Sequence, residues 1–79
     1  MNGDIAGLRT RLNRGVRLRF HDGEVVEATL MGLDPERDHD LTYEVLRVIH
    51  GAAPPARGTA PGATIIARIE DLDGWEVLD

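Results

Sequence analysis

The stretch from Val16 to Leu33 constrains this chain most: V-R-L-R-F, then H-D-G, then E-V-V-E-A-T-L-M-G-L. Val16, Leu18 and Phe20 alternate with Arg17, Arg19 and His21, and Val26, Ala28 and Leu30 alternate with Glu27 and Thr29. A period of two belongs to a half-buried strand, so two antiparallel strands are expected around a tight turn. Asp22-Gly23 alone, as a two-residue type I′ turn, sets Leu18 opposite Glu27 and Arg17 opposite Ala28, and the apolar faces disagree. A three-residue loop, His21-Asp22-Gly23, sets Leu18 opposite Val26, Val16 opposite Ala28 and Arg17 opposite Glu27. It also puts Gly23 at the left-handed position, where a missing Cβ removes the steric penalty. The three-residue loop is therefore expected, with Arg17–Glu27 as an exposed cross-strand pair.

The rest of the chain is read around that hairpin. Residues 4–13 are expected to form a short helix: Asp4 caps it, Ile5, Leu8 and Leu12 make an apolar stripe, and Asn13 and Gly15 end it. Strand two, Glu24 to Leu33, is long and apolar on both faces near Met31 and Leu33, as in small barrels where one bent strand serves two sheets. Asp34-Pro35-Glu36-Arg37 has the chemistry of a type I turn. Leu41 to Ile49 reads as strand three, with a bulge or bend at the doubled Val45-Leu46. His50 to Ala63, rich in Pro, Gly and Ala, reads as a flexible loop (about 50–63). Thr64 to Ile69 and Gly74 to Leu78 complete five strands. Residues 1–79 read as a single all-β domain, a small bent antiparallel barrel with an N-terminal helix. A domain of 79 residues buries only ~60% of its unfolded surface, so its core is expected to be small.

Composition excludes several chemistries. The chain has no Ser, Cys, Lys or Gln, so a Ser or Cys nucleophile, a Schiff-base lysine, a Cys zinc site and a Walker P-loop are all ruled out. No apolar run approaches the ~20 residues of a membrane-spanning helix. The N-terminus lacks the apolar core of a signal peptide, and the absence of cysteine fits a cytoplasmic protein.

Net charge is −5 and unevenly divided. Residues 1–20 carry five Arg and one Asp, whereas residues 21–79 carry four Arg and thirteen acids. Affinity for phosphate grows with the charges neutralised, so only the N-terminal arginines offer a nucleic-acid surface. Arg9, Arg11, Arg14, Arg17 and Arg19 are the candidate RNA-binding residues.

Other constellations read as ordinary surface. Asp34, Glu36, Asp38 and Asp40 alternate beside His39, but a calcium loop starting at Asp34 requires Gly at its sixth position and Glu at its twelfth, where this chain has His39 and Val45. His21, His39 and His50 lack metal-ligand spacing. Glu70, Asp71 and Asp73 before Trp75 read as exposed acids. Three aromatics, at least two of them in the core, do not make a single-strand stacking platform. No catalytic set, cofactor site, metal site or small-molecule substrate site is read from the chain, and it is expected not to be an enzyme.

Leu8 and Leu12 on the helix, Val16-Arg17-Leu18-Arg19-Phe20-His21-Asp22-Gly23 and Leu30-Met31-Gly32-Leu33-Asp34, followed by three more strands, resemble the Sm-like (LSm) family. The resemblance implies a bent five-stranded barrel of Sm-like or SH3-like form, often assembled into six- or seven-membered rings that bind RNA. The family's RNA-pocket residues are not matched: Ala28 stands for the usual glycine, Asp40-Leu41 lies near the usual asparagine, and Arg68 is followed by Ile69 rather than glycine. Asp22-Gly23-Glu24 and Tyr43-Glu44-Val45, with the acidic charge, are also similar to small bacterial Sm-like regulators that inhibit the termination factor Rho by binding the protein.

Two functions therefore compete. One is a non-enzymatic module that binds a protein partner or itself, within RNA or transcription regulation, through acidic surface, edge strands and the apolar residues Val25, Met31 and Leu33. The other is an RNA-binding ring whose five N-terminal arginines line one face.

Overall fold

The computed structural model describes residues 5–51 and 57–78. A short helix α1 (Ile5–Arg9) precedes β1 (Gly15–Phe20), β2 (Val25–Asp34), β3 (Asp40–His50), β4 (Thr64–Arg68) and β5 (Leu72–Val77), with one 3-10 turn, Ile69–Asp71, before the last strand. The strands form one antiparallel sheet in the order β4-β3-β2-β1-β5. The sheet does not close: β4 and β5 are its two edges.

The hairpin has the three-residue loop that the alternation requires. Leu18 pairs with Val26, Val16 with Ala28 and Arg17 with Glu27. Gly23 sits at φ 96° and donates its N–H to Phe20 O at 3.0 Å, closing the loop. The inward set, Val16, Leu18, Phe20, Val26, Ala28 and Leu30, meets Leu41, Tyr43 and Val45 of β3, Ile65 and Ala67 of β4, Trp75 of β5 and Leu8 of α1 in one core. All three aromatics are buried in it.

Three bulges bend the long β2–β3 ladder. Leu30 pairs with Tyr43 and Gly32 with Thr42, which leaves Met31 without an opposite residue. In the same way Leu46 falls between the pairs Ala28–Val45 and Glu27–Arg47, and Ile49 between Val26–Val48 and Val25–His50. Each extra residue lets the strand turn and restores core alternation beyond it. A bulge or bend is expected at the doubled Val45-Leu46, and the structure has a bulge there with Leu46 as its extra residue.

The helix is shorter than the expected 4–13. After Arg9 the bonds tighten to three-residue spacing, Thr10 N–H to Gly7 O and Arg11 N–H to Leu8 O. Asn13 then takes φ 66° and donates its N–H to Leu30 O, while Leu30 N–H donates to Arg14 O. These ties draw the chain onto β2 and end the helix. Leu12 is consequently turned outward, and only Leu8, with Ile5 beside it, serves the core. Asp4, the expected cap, lies outside the described residues, as do residues 52–56 of the expected flexible loop. No helix among the described residues is long and apolar enough to cross a membrane.

Candidate functional site

The five N-terminal arginines fall in different settings. Arg17 and Arg19 alternate with the core residues of β1 and so lie on the face of the sheet away from the core. Arg17 Nη2 donates to Glu27 Oε2 at 2.8 Å, and Glu27 also meets Arg47 Nε at 3.4 Å. Register continues this line to Glu76 on β5, giving a row of alternating charge, Arg47, Glu27, Arg17 and Glu76, across four strands. The hydrogen bond to Glu27 raises the Arg17 pKa, and the same bond holds the Glu27 carboxyl below its ordinary value. Arg9 is held away from this face, at the β2–β3 turn, where its guanidinium gives Glu36 two bonds of 2.9 and 2.7 Å. Among the described residues Arg11, Arg14 and Arg19 have no ion pair. Two of the five candidate RNA contacts are thus already neutralised by carboxylates.

The three apolar candidates also separate. Met31 stands at a bulge, 50% exposed. Leu33 packs partly buried against the core, opposite Leu41. Val25 is half-buried between Arg19 and His50. Sequence reasoning missed other exposed apolar residues. Ile66 on β4 is 68% exposed, and Leu46, Ile49 and Val77 are exposed beside it in rank. The doublet Ile65-Ile66 carried the signal, because in an alternating strand only one of two neighbours faces the core.

The most heavily built charged group was also missed. Glu24, at 2% exposure, is the buried charged residue of the described chain. Asp22 Oδ1 accepts the Glu24 N–H at 3.0 Å, an Asx-type turn that folds the loop tip back. Arg57, from the loop before β4, brings Nη1 to 2.8 Å from Glu24 Oε1 and 3.0 Å from Asp22 Oδ2. Its Cζ stands 4.0 Å over the Phe20 ring, and Phe20 in turn packs against Tyr43 at 5.9 Å between centroids. The Tyr43 hydroxyl is buried and has no hydrogen-bond partner among the described residues. Burial pushes its pKa above the phenol range, the Arg57 charge opposes this, and Glu24 and Asp22 add to it.

The acidic β2–β3 turn is a structured loop: Arg37 N–H donates to Asp34 Oδ1 at 3.1 Å, the expected type I chemistry. No three His, Asp or Glu side chains gather as metal ligands among the described residues. His21 Nδ1 lies 3.5 Å from Asp73 Oδ1, a pairing set by the bulge that leaves Asp73 without an opposite residue on β1. Comparison with family models, curated proteins and solved structures finds no match for this chain.

Proposed function

We propose that this chain is a non-catalytic interaction module of Sm-like architecture that assembles with further copies of itself through its two sheet edges. One observation carries the reading: among the described residues the edge strands β4 and β5 each pair with a single neighbouring strand, and each carries an exposed apolar residue, Ile66 and Val77. Unpaired strand edges are templates for pairing with another chain. An edge β4 meeting an edge β5 is a heterologous contact, which closes into a ring or propagates. A bent sheet with the helix on its core side is what an Sm-like barrel requires, and supports the same reading. Of its five arginines, the RNA alternative keeps Arg11, Arg14 and Arg19 without an ion pair among the described residues, in a chain of net charge −5.

Light scattering during size-exclusion chromatography tests the proposal. The wild type is expected as a multimer, and Ile66→Glu as a folded chain of smaller mass. A wild-type monomer at all concentrations contradicts the assembly. Tight binding of single-stranded RNA at low salt, falling with a slope of about −0.7 per phosphate contacted, would favour the alternative.

A further inference from the structure

We propose that the slot at the tip of the β1–β2 hairpin is a guanidinium-binding site for an arginine presented by a partner protein, with Arg57 as its intramolecular occupant. The inference rests on the interaction-module reading, but on residues separate from the edges.

The slot belongs to the hairpin, not to the loop that supplies Arg57. Phe20, Asp22 and Glu24 are fixed by the closed three-residue turn and by the Asp22–Glu24 bond. A carboxylate buried as deeply as Glu24 requires a cation, since an unpaired buried charge is strongly unfavourable. Two carboxylates converging on a group that stacks on an aromatic face suit a planar guanidinium better than an ammonium, because its N–H edge bonds while its plane stacks.

Arg57 fills this slot without satisfying all of it. Tyr43, whose ring packs against Phe20, feels the charges of Arg57, Glu24 and Asp22, and its buried hydroxyl has no hydrogen-bond partner among the described residues. A guanidinium has five N–H donors, and one arriving from outside on a different path has donors to spare for that oxygen. Among the described residues, the contacts of Arg57 are those of its side chain. The backbone bonds of the described loop lie further along, Gly62 N–H to Val45 O and Ala63 N–H to Ala60 O, and Gly58 stands at φ 65° in open space. Exchange of one guanidinium for another therefore leaves Glu24 paired and the sheet unmoved. The resident arginine lowers apparent affinity by the fraction of time it occupies the slot.

The test compares full-length wild type with Arg57→Ala. The probes are a blocked Gly-Ala-Arg-Ala-Gly peptide, its citrulline counterpart and blocked single arginine. The arginine peptide is expected to bind Arg57→Ala about tenfold more tightly than wild type. At about fivefold excess over Kd it should raise the melting temperature of Arg57→Ala by about 4–8 °C. The citrulline peptide, and the double variant Arg57→Ala/Glu24→Gln, should show neither effect. If Arg57→Ala does not fold alone, recovery of its β-sheet circular dichroism on adding the arginine peptide is the same readout. Absence of any response at millimolar peptide overturns the inference. Equal binding of single arginine and peptide overturns the protein source in favour of a small guanidinium compound. Assembly by light scattering is recorded on the same samples: a multimer that ignores the peptide overturns this inference alone, and a monomer that binds it overturns only the edge assembly.

Discussion

Two arginine–glutamate pairs in this molecule have the same length and different physics. Arg17–Glu27 and Arg57–Glu24 both close at 2.8 Å. The first lies across the sheet on its outer face, part of a charge row open to solvent, with the Arg17 side chain 39% exposed. The second has Glu24 at 2% exposure, bonded to a guanidinium that stacks on the Phe20 ring. Solvent already stabilises each partner of the outer pair, so joining them adds little. At the hairpin tip the burial is imposed by the fold, and the pair exists because the alternative is a carboxylate alone in the core margin. The lesson is that burial, not bond length, decides which ion pair the fold depends on.

Arg57→Ala breaks the comparison most forcefully. It is expected to cost about 3 kcal/mol or more in urea unfolding, a large part of the roughly 4–12 kcal/mol that a domain of 79 residues has. Replacing both partners, Glu24→Leu with Arg57→Met, should recover most of the loss, because no charge is then stranded. Gly23→Ala comes next. At φ 96° a Cβ costs about 1–2 kcal/mol, and the loop it distorts supports both pairs. Tyr43→Phe is expected to have the opposite sign, stabilising by about 1 kcal/mol through removal of an unpartnered hydroxyl.

Tyr43 also predicts behaviour in alkali. Its folded pKa lies above the unfolded value of 10.0, so the neutral phenol's contribution is complete below that pH and is lost as pH rises above it. As the single tyrosine, it should show no tyrosinate absorbance until the sheet unfolds. The smallest effect belongs to Glu27→Gln. Glu27 has a depressed folded pKa, so its contribution is present above the ordinary value of 4.5 and fades as pH falls below it through the folded value. The difference between Glu27→Gln and wild type should shrink over that window and with added salt. A large, salt-insensitive loss in Glu27→Gln, or a negligible one in Arg57→Ala, would reverse the comparison.

The same contrast explains what the sequence made legible. Arg17–Glu27 could be read because its partners lie ten residues apart on paired strands, where register follows from the apolar alternation. Leu46 could be read as a bulge because Val45-Leu46 breaks that alternation. Glu24–Arg57 spans 33 residues and a loop without periodicity, so nothing local announces it. The helix was overextended because Leu12 fits the apolar spacing, while the bonds that end it come from Leu30, on another strand. Met31 and Leu33 looked alike in sequence; the bulge between Leu30 and Gly32 turned one outward and the other toward the core.

Amide hydrogen exchange of the edge strands at rising protein concentration tests edge assembly most directly. Edge pairing predicts that amides of Thr64–Arg68 and Leu72–Val77 gain protection together as the chain assembles, while those of β2 in the sheet centre stay unchanged. Exchange at both edges that is equally fast from micromolar to millimolar concentration would contradict it.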